Sequence, residues 1–188
     1  LVQKHGALPP DGGFAGFRLH AALNNPDVFD ELITFQGASY WRALGKNQRY
    51  GISSRGIAVD TGIEGVTEEF PSFREFWLRK PEEGDTHARF YALLDGPSYA
   101  GAYKFRVLPG NETIVEVQAV IFTRRAVQRL GIAPMSSMFW FGENSKRRFD
   151  DFRPEVHDSD GLAIRMGTGE RLWRPISNDS GKLEFSFF

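Results

Sequence analysis

The sequence predicts an all-β protein, an antiparallel β-sandwich with one short helix. Short segments in which apolar and polar residues alternate are typical of strands with one buried face. Twenty Gly and ten Pro residues interrupt the chain at short intervals, and aromatic residues make up 14% of the 188 residues. With 41% hydrophobic residues and no linker or low-complexity tract, we expect a single domain over residues 1–188.

The first half of the chain is predicted to form a series of short strands. The segment "GFAGFRLHAAL", residues 13–23, predicts a strand, and "NNPDVFD", residues 24–30, predicts a polar loop. Residues 31–62 predict several short strands, separated by glycines at turns or bulges: Gly37, Gly45, Gly51 and Gly56. In "EEFPSFREFWLRKP", residues 68–81, the spacing of aromatic residues also fits a helix, but the flanking prolines favour a strand.

Two hairpins and one helix are predicted in the second half. In residues 101–122, apolar and polar residues alternate on both sides of a Pro-Gly-Asn turn. Residues 162–175 predict a second hairpin around a Gly-Thr-Gly turn. The segment from Thr123 to Gly131 predicts a helix of about two turns, because Thr is a fair N-cap and Gly a common C-terminal stop.

Composition argues against several classes of function. A net charge of −1 without a basic block gives no surface for the phosphates of nucleic acid. No apolar run approaches the roughly 18 residues that span a bilayer, so we expect no membrane-spanning segment. The absence of cysteine excludes disulfides and thiolate sites. We find no phosphate-binding loop or metalloprotease motif, and we predict no metal and no organic cofactor. Because the chain does not begin with Met, it is interpreted as a piece of a longer protein.

The segment "RPEVHDSDG", residues 153–161, is the densest cluster of ionisable side chains: Arg153, Glu155, His157, Asp158 and Asp160. A residue before proline avoids the helical region, so we expect an extended segment with Arg153, Glu155 and His157 on one side. One interpretation is a surface turn, in which Arg153 pairs with Glu155 or Asp151 and Asp158 or Asp160 forms an Asx-turn. The alternative is a carboxylate in a cleft that acts on water or on a leaving group.

Six blocks of the sequence resemble, in the same order, the periplasmic glucan biosynthesis proteins G and D (the OpgG/OpgD or MdoG/MdoD family). They are "FQGASYWRALGKNQRYGISSRGIAVDTG", "EEFPSFREFWL", "GAYKFRV", "GIAPMSSMFWFGEN", "DDFRPEVHDSDGL" and "GERLWRP". The resemblance implies a periplasmic protein with a galactose-mutarotase-like β-sandwich followed by an immunoglobulin-like domain. It also implies a role with osmoregulated glucans of β-1,2-linked glucose, which inverting members of the family hydrolyse.

The resemblance implies that Asp158 is the general base. Its neighbours in the charged cluster are candidates for supporting roles: Asp160, Arg153, His157 and Glu155. The resemblance also implies that the general acid lies beyond "WRP", in segments outside this chain, and that the immunoglobulin-like domain is absent. The chain then corresponds to the middle of the family's catalytic domain, so the β-sandwich is expected to be truncated. Because inversion needs two carboxyl groups, we do not expect efficient hydrolysis by these residues alone. The alternative is a non-catalytic module that holds glucan for other enzymes.

Four further residues are candidates for binding the glucan. Tyr40 and Arg55 lie beside Gly-rich turns and could contact sugar, but sheet packing or a buried ion pair would explain them equally well. Trp140 is interpreted mainly as a core residue, with sugar binding as the alternative. Trp173 closes a predicted strand. Oligomeric state is not predicted.

Overall fold

The computed structural model describes residues 16–145 and 150–177. None of these residues is helical, and accordingly no helix among them is long and apolar enough to cross a membrane. The strands are β1 Gly16–Ala21, β2 Asp30–Gln36, β3 Tyr40–Ala43, β4 Ser53–Arg55, β5 Ile57–Val59, β6 Ser72–Leu78, β7 Ala88–Asp95, β8 Tyr99–Leu108, β9 Ile114–Thr123, β10 Leu130–Ile132, β11 Met135–Ser136, β12 Phe139–Phe141, β13 Val156–His157, β14 Gly161–Arg165 and β15 Arg171–Pro175.

Two antiparallel sheets form the layers of the sandwich. One sheet has the order β1-β2-β3-β4-β11 and the other the order β6-β7-β8-β9. Their facing sides meet in an aromatic core, in which Phe17, Phe35 and Trp41 of the first sheet contact rings of the second at centroid separations between 4.9 and 6.2 Å. Since strands bury every second residue, this contact turns the alternate residues of the five-stranded sheet outward. The prediction of an all-β antiparallel sandwich is confirmed.

The predicted strands and hairpins are largely confirmed. Residues 101–122 form the paired strands β8 and β9, and residues 162–175 form β14 and β15. The aromatic segment within residues 68–81 is the strand β6, as its prolines predict. Breaks between strands occur at the four predicted positions, Gly37, Gly45, Gly51 and Gly56. Residues 13–15 of the first predicted strand lie outside the described residues, and the strand itself begins at Gly16.

The predicted helix from Thr123 to Gly131 is wrong. Thr123 is the last residue of β9, and β10 pairs with β5 from Leu130 onwards. Between these strands, the carboxylate of Asp60 accepts 2.8 Å hydrogen bonds from the backbone N–H groups of Gln128 and Arg129. A helix of two turns is marginal by itself because nucleation is unfavourable, so these tertiary bonds determine the backbone conformation.

Candidate functional site

The outward side of the five-stranded sheet is polar because of alternation along β2. Ile33 and Phe35 belong to the core, whereas Gln36, which is exposed, and Thr34, which is only 4% exposed, belong to the opposite side. Thr34 lies opposite Arg18 on β1 and Arg42 on β3. Cross-strand partners share one side of a sheet, so these side chains form a continuous surface. We call this surface, formed by Arg18, Thr34, Gln36, Tyr40, Arg42 and Ser53, the polar face.

Two cavities lie side by side on the polar face. The larger has a volume of about 290 Å³ and is lined by Thr34, Gln36, Tyr40, Trp41, Arg42 and Ser53. The smaller has a volume of about 200 Å³ and is lined by Gly16, Phe17, Arg18, Thr34, Phe35 and Gln36. Thr34 and Gln36 border both cavities, which therefore form one continuous groove across β1, β2 and β3.

A cluster of polar side chains around Glu31 lies next to the groove, because its members Thr34 and Arg18 also line the smaller cavity. The Glu31 carboxylate accepts hydrogen bonds from the hydroxyl groups of Thr34 and Tyr50 and pairs with Arg18 at 2.9 Å. Burial acts to raise the pKa of Glu31, but the two hydroxyl groups and the charge of Arg18 outweigh it and lower that pKa. Burial and the bond to the Glu31 carboxylate raise the pKa of Tyr50. The Arg42 guanidinium lies 4.6 Å from the centre of the Tyr50 ring, which joins it to the same cluster.

Arg55 is the cross-strand partner of Tyr40 and lies on the same side of the sheet, but it is buried and does not line the groove. Its side chain is 5% exposed, and its Nη2 lies 2.8 Å from Oε1 of Glu68. The guanidinium stands between two rings, 5.2 Å from the centre of Tyr40 and 5.0 Å from that of Phe70. Of the alternatives that the sequence leaves open, the structure therefore gives Arg55 the buried ion pair. Tyr40, which lines the groove, is packed against this buried charge on the neighbouring strand.

The predicted base, Asp158, is an exposed residue directly after β13. Its backbone N–H donates a 2.8 Å hydrogen bond to the carbonyl oxygen of Met138. The turn also lies against Gly51, where a Cβ atom would come within 3.4 Å of the Asp158 carbonyl oxygen. Gly51 is separated by one residue from Ser53, which lines the groove. The acidic turn and the groove are therefore neighbours, although their residues are far apart in sequence.

The other charged residues of the turn form one ion pair and one cluster of three residues. Arg153 pairs with Asp151, with Nη2 2.6 Å from Oδ2, and the hydrogen bonds from Arg153 lower the pKa of Asp151 to about 2. Asp151 also accepts a bond from the Arg153 backbone N–H, so Asp151 makes the Asx-turn that was predicted for Asp158 or Asp160.

His157 joins the two remaining carboxylates. Its Nε2 lies 3.1 Å from Oε2 of Glu155 and 3.4 Å from Oδ1 of Asp160, and its ring stacks on Phe139. The contact agrees with the prediction that Glu155 and His157 share one side. Ligand atoms of these three residues lie within 4.8 Å of one another and could hold a cation. His157 already bridges both carboxylates, so the cluster by itself is no evidence for a metal. That the protein needs no metal stays a prediction.

The two candidate tryptophans are both surface residues. Trp140 is 50% exposed, so its interpretation as a core residue is wrong. Trp173 is 58% exposed, and its ring lies over Gly161, where a Cβ atom would be 2.7 Å from Cζ2. Gly161 ends the acidic turn, so Trp173 packs against the C-terminal end of that turn.

Sequence reasoning overlooked most of the polar face. Alternation in "LITFQ" and "YWRA" would have placed Thr34, Gln36 and Arg42 away from the core. It could not show that these strands are neighbours in register, which is what creates the groove.

Comparison with known proteins identifies the family. The family model described as "Periplasmic glucan biosynthesis protein, MdoG" matches residues 2–188. The chain is 52% identical over 187 residues to a Glucans biosynthesis protein G of Cereibacter sphaeroides, covering 100% of this chain and 34% of that protein. It is also 52% identical to the proteins of this name from Bradyrhizobium diazoefficiens and Shewanella frigidimarina, covering 89% and 95% of this chain and 33% and 32% of theirs.

The chain thus spans about a third of the length of the curated relatives that it matches. The matches cover both the strands that form the groove and the acidic turn, in one continuous alignment of high identity. This chain belongs to the periplasmic glucan biosynthesis protein family.

Proposed function

We propose that this chain provides the glucan-binding surface and the general base of a periplasmic protein that cleaves β-1,2-linked glucan with inversion. The observation that supports the proposal is the packing of the Asp158 backbone against Gly51, two residues before Ser53 of the groove, in a turn whose Asp158 residue is exposed. Inverting cleavage requires a cleft that binds the sugar and two carboxyl groups, of which the groove and Asp158 would supply the cleft and one carboxyl group. The family assignment supports glucan as the polymer.

Asp158 would accept the proton of the attacking water, directly or through a hydroxyl group. Its backbone bond to Met138 fixes the turn, and its exposed carboxylate is open to water. Inverting enzymes separate base and acid by about 6.5–9.5 Å, so that water fits between the base and the sugar. The acid is expected from the family segment that follows "WRP" in longer relatives. The reaction needs no metal or organic cofactor.

The neighbours of Asp158 have supporting roles in this proposal. His157, bridging Glu155 and Asp160, would hold the turn in one conformation. Arg153 is occupied by Asp151 and would stabilise the entry to the turn. The exposed ring of Trp173 offers a surface for a sugar ring next to Asp158, and Trp140 offers a second exposed ring on β12. Residues 1–188 would form a single domain, part of the larger catalytic sandwich of the relatives.

A second candidate is a non-catalytic module that holds glucan during its synthesis. The groove favours such a module, because the polar groups that line the groove can bind hydroxyl groups. None of the residues that line the two cavities carries a carboxylate. Such a module would bind linear β-1,2-glucan without releasing new reducing ends.

An experiment with a chimaera distinguishes the two functions. In this chimaera, the chain replaces the matching segment of the Cereibacter sphaeroides relative. With linear β-1,2-glucan, we expect new reducing ends, and Asp158→Asn should lower their rate by about 10²–10⁴-fold, the usual contribution of a general base. Asp85→Asn, at an exposed carboxylate in a turn between β6 and β7, is the matched control. Undiminished hydrolysis by Asp158→Asn rejects the assignment, and binding without products supports the module.

A further inference from the structure

We propose that the groove binds two successive rings of a neutral oligosaccharide, with Tyr40 as the stacking surface and Gln36 and Arg42 as the residues that select hydroxyl groups. The inference rests on the proposed function and adds a site that the acidic turn does not contain. Tyr40 comes from β3, together with Arg42, and Gln36 from β2, so the site is built on strands of one sheet.

The size of the groove fits small rings in series. Sites for drug-sized ligands usually measure about 300–1,000 Å³. The two cavities measure about 290 and 200 Å³, and Thr34 and Gln36 form the border between them. Each cavity is smaller than this range and would therefore hold a single ring. A linear chain could continue past Gln36 from the first cavity to the second.

The lining offers both donors and acceptors, as a polyol requires. The Gln36 amide can donate and accept, the Ser53 hydroxyl can do both, and the Arg42 guanidinium donates in a planar fork. Vicinal hydroxyl groups of a sugar can pair with such forks and amides simultaneously. An apolar ligand would leave these groups without partners, which is costly when water is displaced.

The charges of the groove favour a neutral ligand over an anion. Arg18 is paired with Glu31 at 2.9 Å, so its charge is balanced. Arg42 rests on the Tyr50 ring and, within residues 16–145 and 150–177, has no carboxylate partner in ion-pair distance. One exposed guanidinium beside an ionised Glu31 is a weak anion site, because the carboxylate opposes a second negative charge.

Tyr40 is held as a rigid stacking surface. The buried Arg55 guanidinium lies 5.2 Å from the centre of the ring, and its ion pair with Glu68 fixes it there. Arg55 Nε is buried without a hydrogen-bond partner among the described residues. Burying the Arg55 guanidinium with an unpaired Nε destabilises the fold. This cost supports a role for Arg55 in holding the Tyr40 ring in one orientation. Arg55 is thus a positioning residue for Tyr40 and does not itself contact the sugar.

The site can be tested with the 188-residue chain and a defined linear β-1,2-gluco-oligosaccharide, followed by NMR of backbone amides. We expect saturable shifts at Gln36, Tyr40 and Arg42. Gln36→Ala and Tyr40→Ala should each weaken binding by about tenfold, as expected for the loss of one good polar or stacking contact. Gln118→Ala and Tyr91→Ala, at exposed positions of the four-stranded sheet, are the matched controls and should bind normally.

Four results would decide the matter. Shifts confined to the Asp158 turn, with full binding by Gln36→Ala, overturn the inference and leave the proposed base intact. No binding of the oligosaccharide also overturns it. Inorganic phosphate that shifts the Arg42 amide more strongly than the oligosaccharide does would replace the neutral ligand with an anion. Groove-dependent binding that persists in Asp158→Asn supports the site, whatever the fate of the proposed base.

Discussion

The hydroxyl group of Tyr103 donates a 2.8 Å hydrogen bond to the carbonyl oxygen of Gly56. Tyr103 lies in the middle of β8, and Gly56 lies between β4 and β5, so the bond connects the four-stranded sheet to the segment that follows β4, a strand that lines the groove. Tyr103 is 4% exposed, and burial raises its pKa to about 12. The bond is made next to Arg55, which supports Tyr40 in the groove.

Tyr103→Phe is expected to lower the free energy of unfolding by about 1–3 kcal/mol, because it leaves the buried carbonyl oxygen of Gly56 without its donor. Urea unfolding at pH 7, followed by circular dichroism, measures the difference. Tyr91→Phe removes a hydroxyl group from a 47% exposed tyrosine of the neighbouring strand and should change little. Equal effects of the two substitutions would contradict the structural role of the bond.

The same variant reports the pH dependence of Tyr103. The pKa is raised from 10.0 to about 12 in the folded protein, so the neutral side chain is favoured by folding. Its contribution is fully present below pH 10 and is lost as pH rises toward about 12. The stability advantage over Tyr103→Phe should therefore shrink by up to about 3 kcal/mol in this interval, at 1.36 kcal/mol per unit. An advantage that stays constant from pH 9 to 12 is incompatible with a buried, neutral hydroxyl group.

Glu31→Gln tests the ionised carboxylate at the end of the groove. The lowered pKa of Glu31 means that folding favours the charged form, so this contribution is present above the unfolded value near 4.5. It is lost as pH falls through the lower folded value. We expect the variant to be less stable than the parent at neutral pH and the difference to narrow as pH falls below 4.5. Urea titrations at several pH values measure it, with Glu83→Gln, at an exposed position, as the control.

Arg55→Met and Glu68→Gln form a double-mutant cycle for the buried ion pair. Removing the guanidinium leaves Glu68, which is 22% exposed and also bound by Thr61, with an unbalanced charge. Arg55→Met should therefore cost more than Glu68→Gln, and the pair should show a coupling of about 0.5–3 kcal/mol. Additive effects in urea unfolding would mean that the two groups do not stabilise one another. The oligosaccharide affinity of Arg55→Met should also fall, since Tyr40 loses its support.

The strands were predictable because their signal is local. Tyr103, Phe105 and Val107 alternate with charged residues, and this pattern determines which side of β8 is buried wherever the strand pairs. The segment after Thr123 was mispredicted because its backbone bonds come from Asp60, a residue that no local pattern connects with it.

The candidate site was predictable in part. Charge density identified the turn around Asp158, and the family resemblance gave that residue a role. The groove was not predictable, because it depends on the registers that set Thr34 opposite Arg18 and Arg42. The contact of Gly51 with the acidic turn depends equally on the packing of distant segments.

Along β2, residues that line the groove alternate with residues of the core, so ligand binding and fold stability depend on the same strand. Thr34 and Gln36 line the groove, while Ile33 and Phe35, between and beside them, are buried in the aromatic core. Inserting or deleting one residue in this strand would move Phe35 into water and a polar side chain into the core. The groove can therefore acquire a new specificity through side-chain substitutions but not through changes in strand length, unlike binding sites that are built from loops.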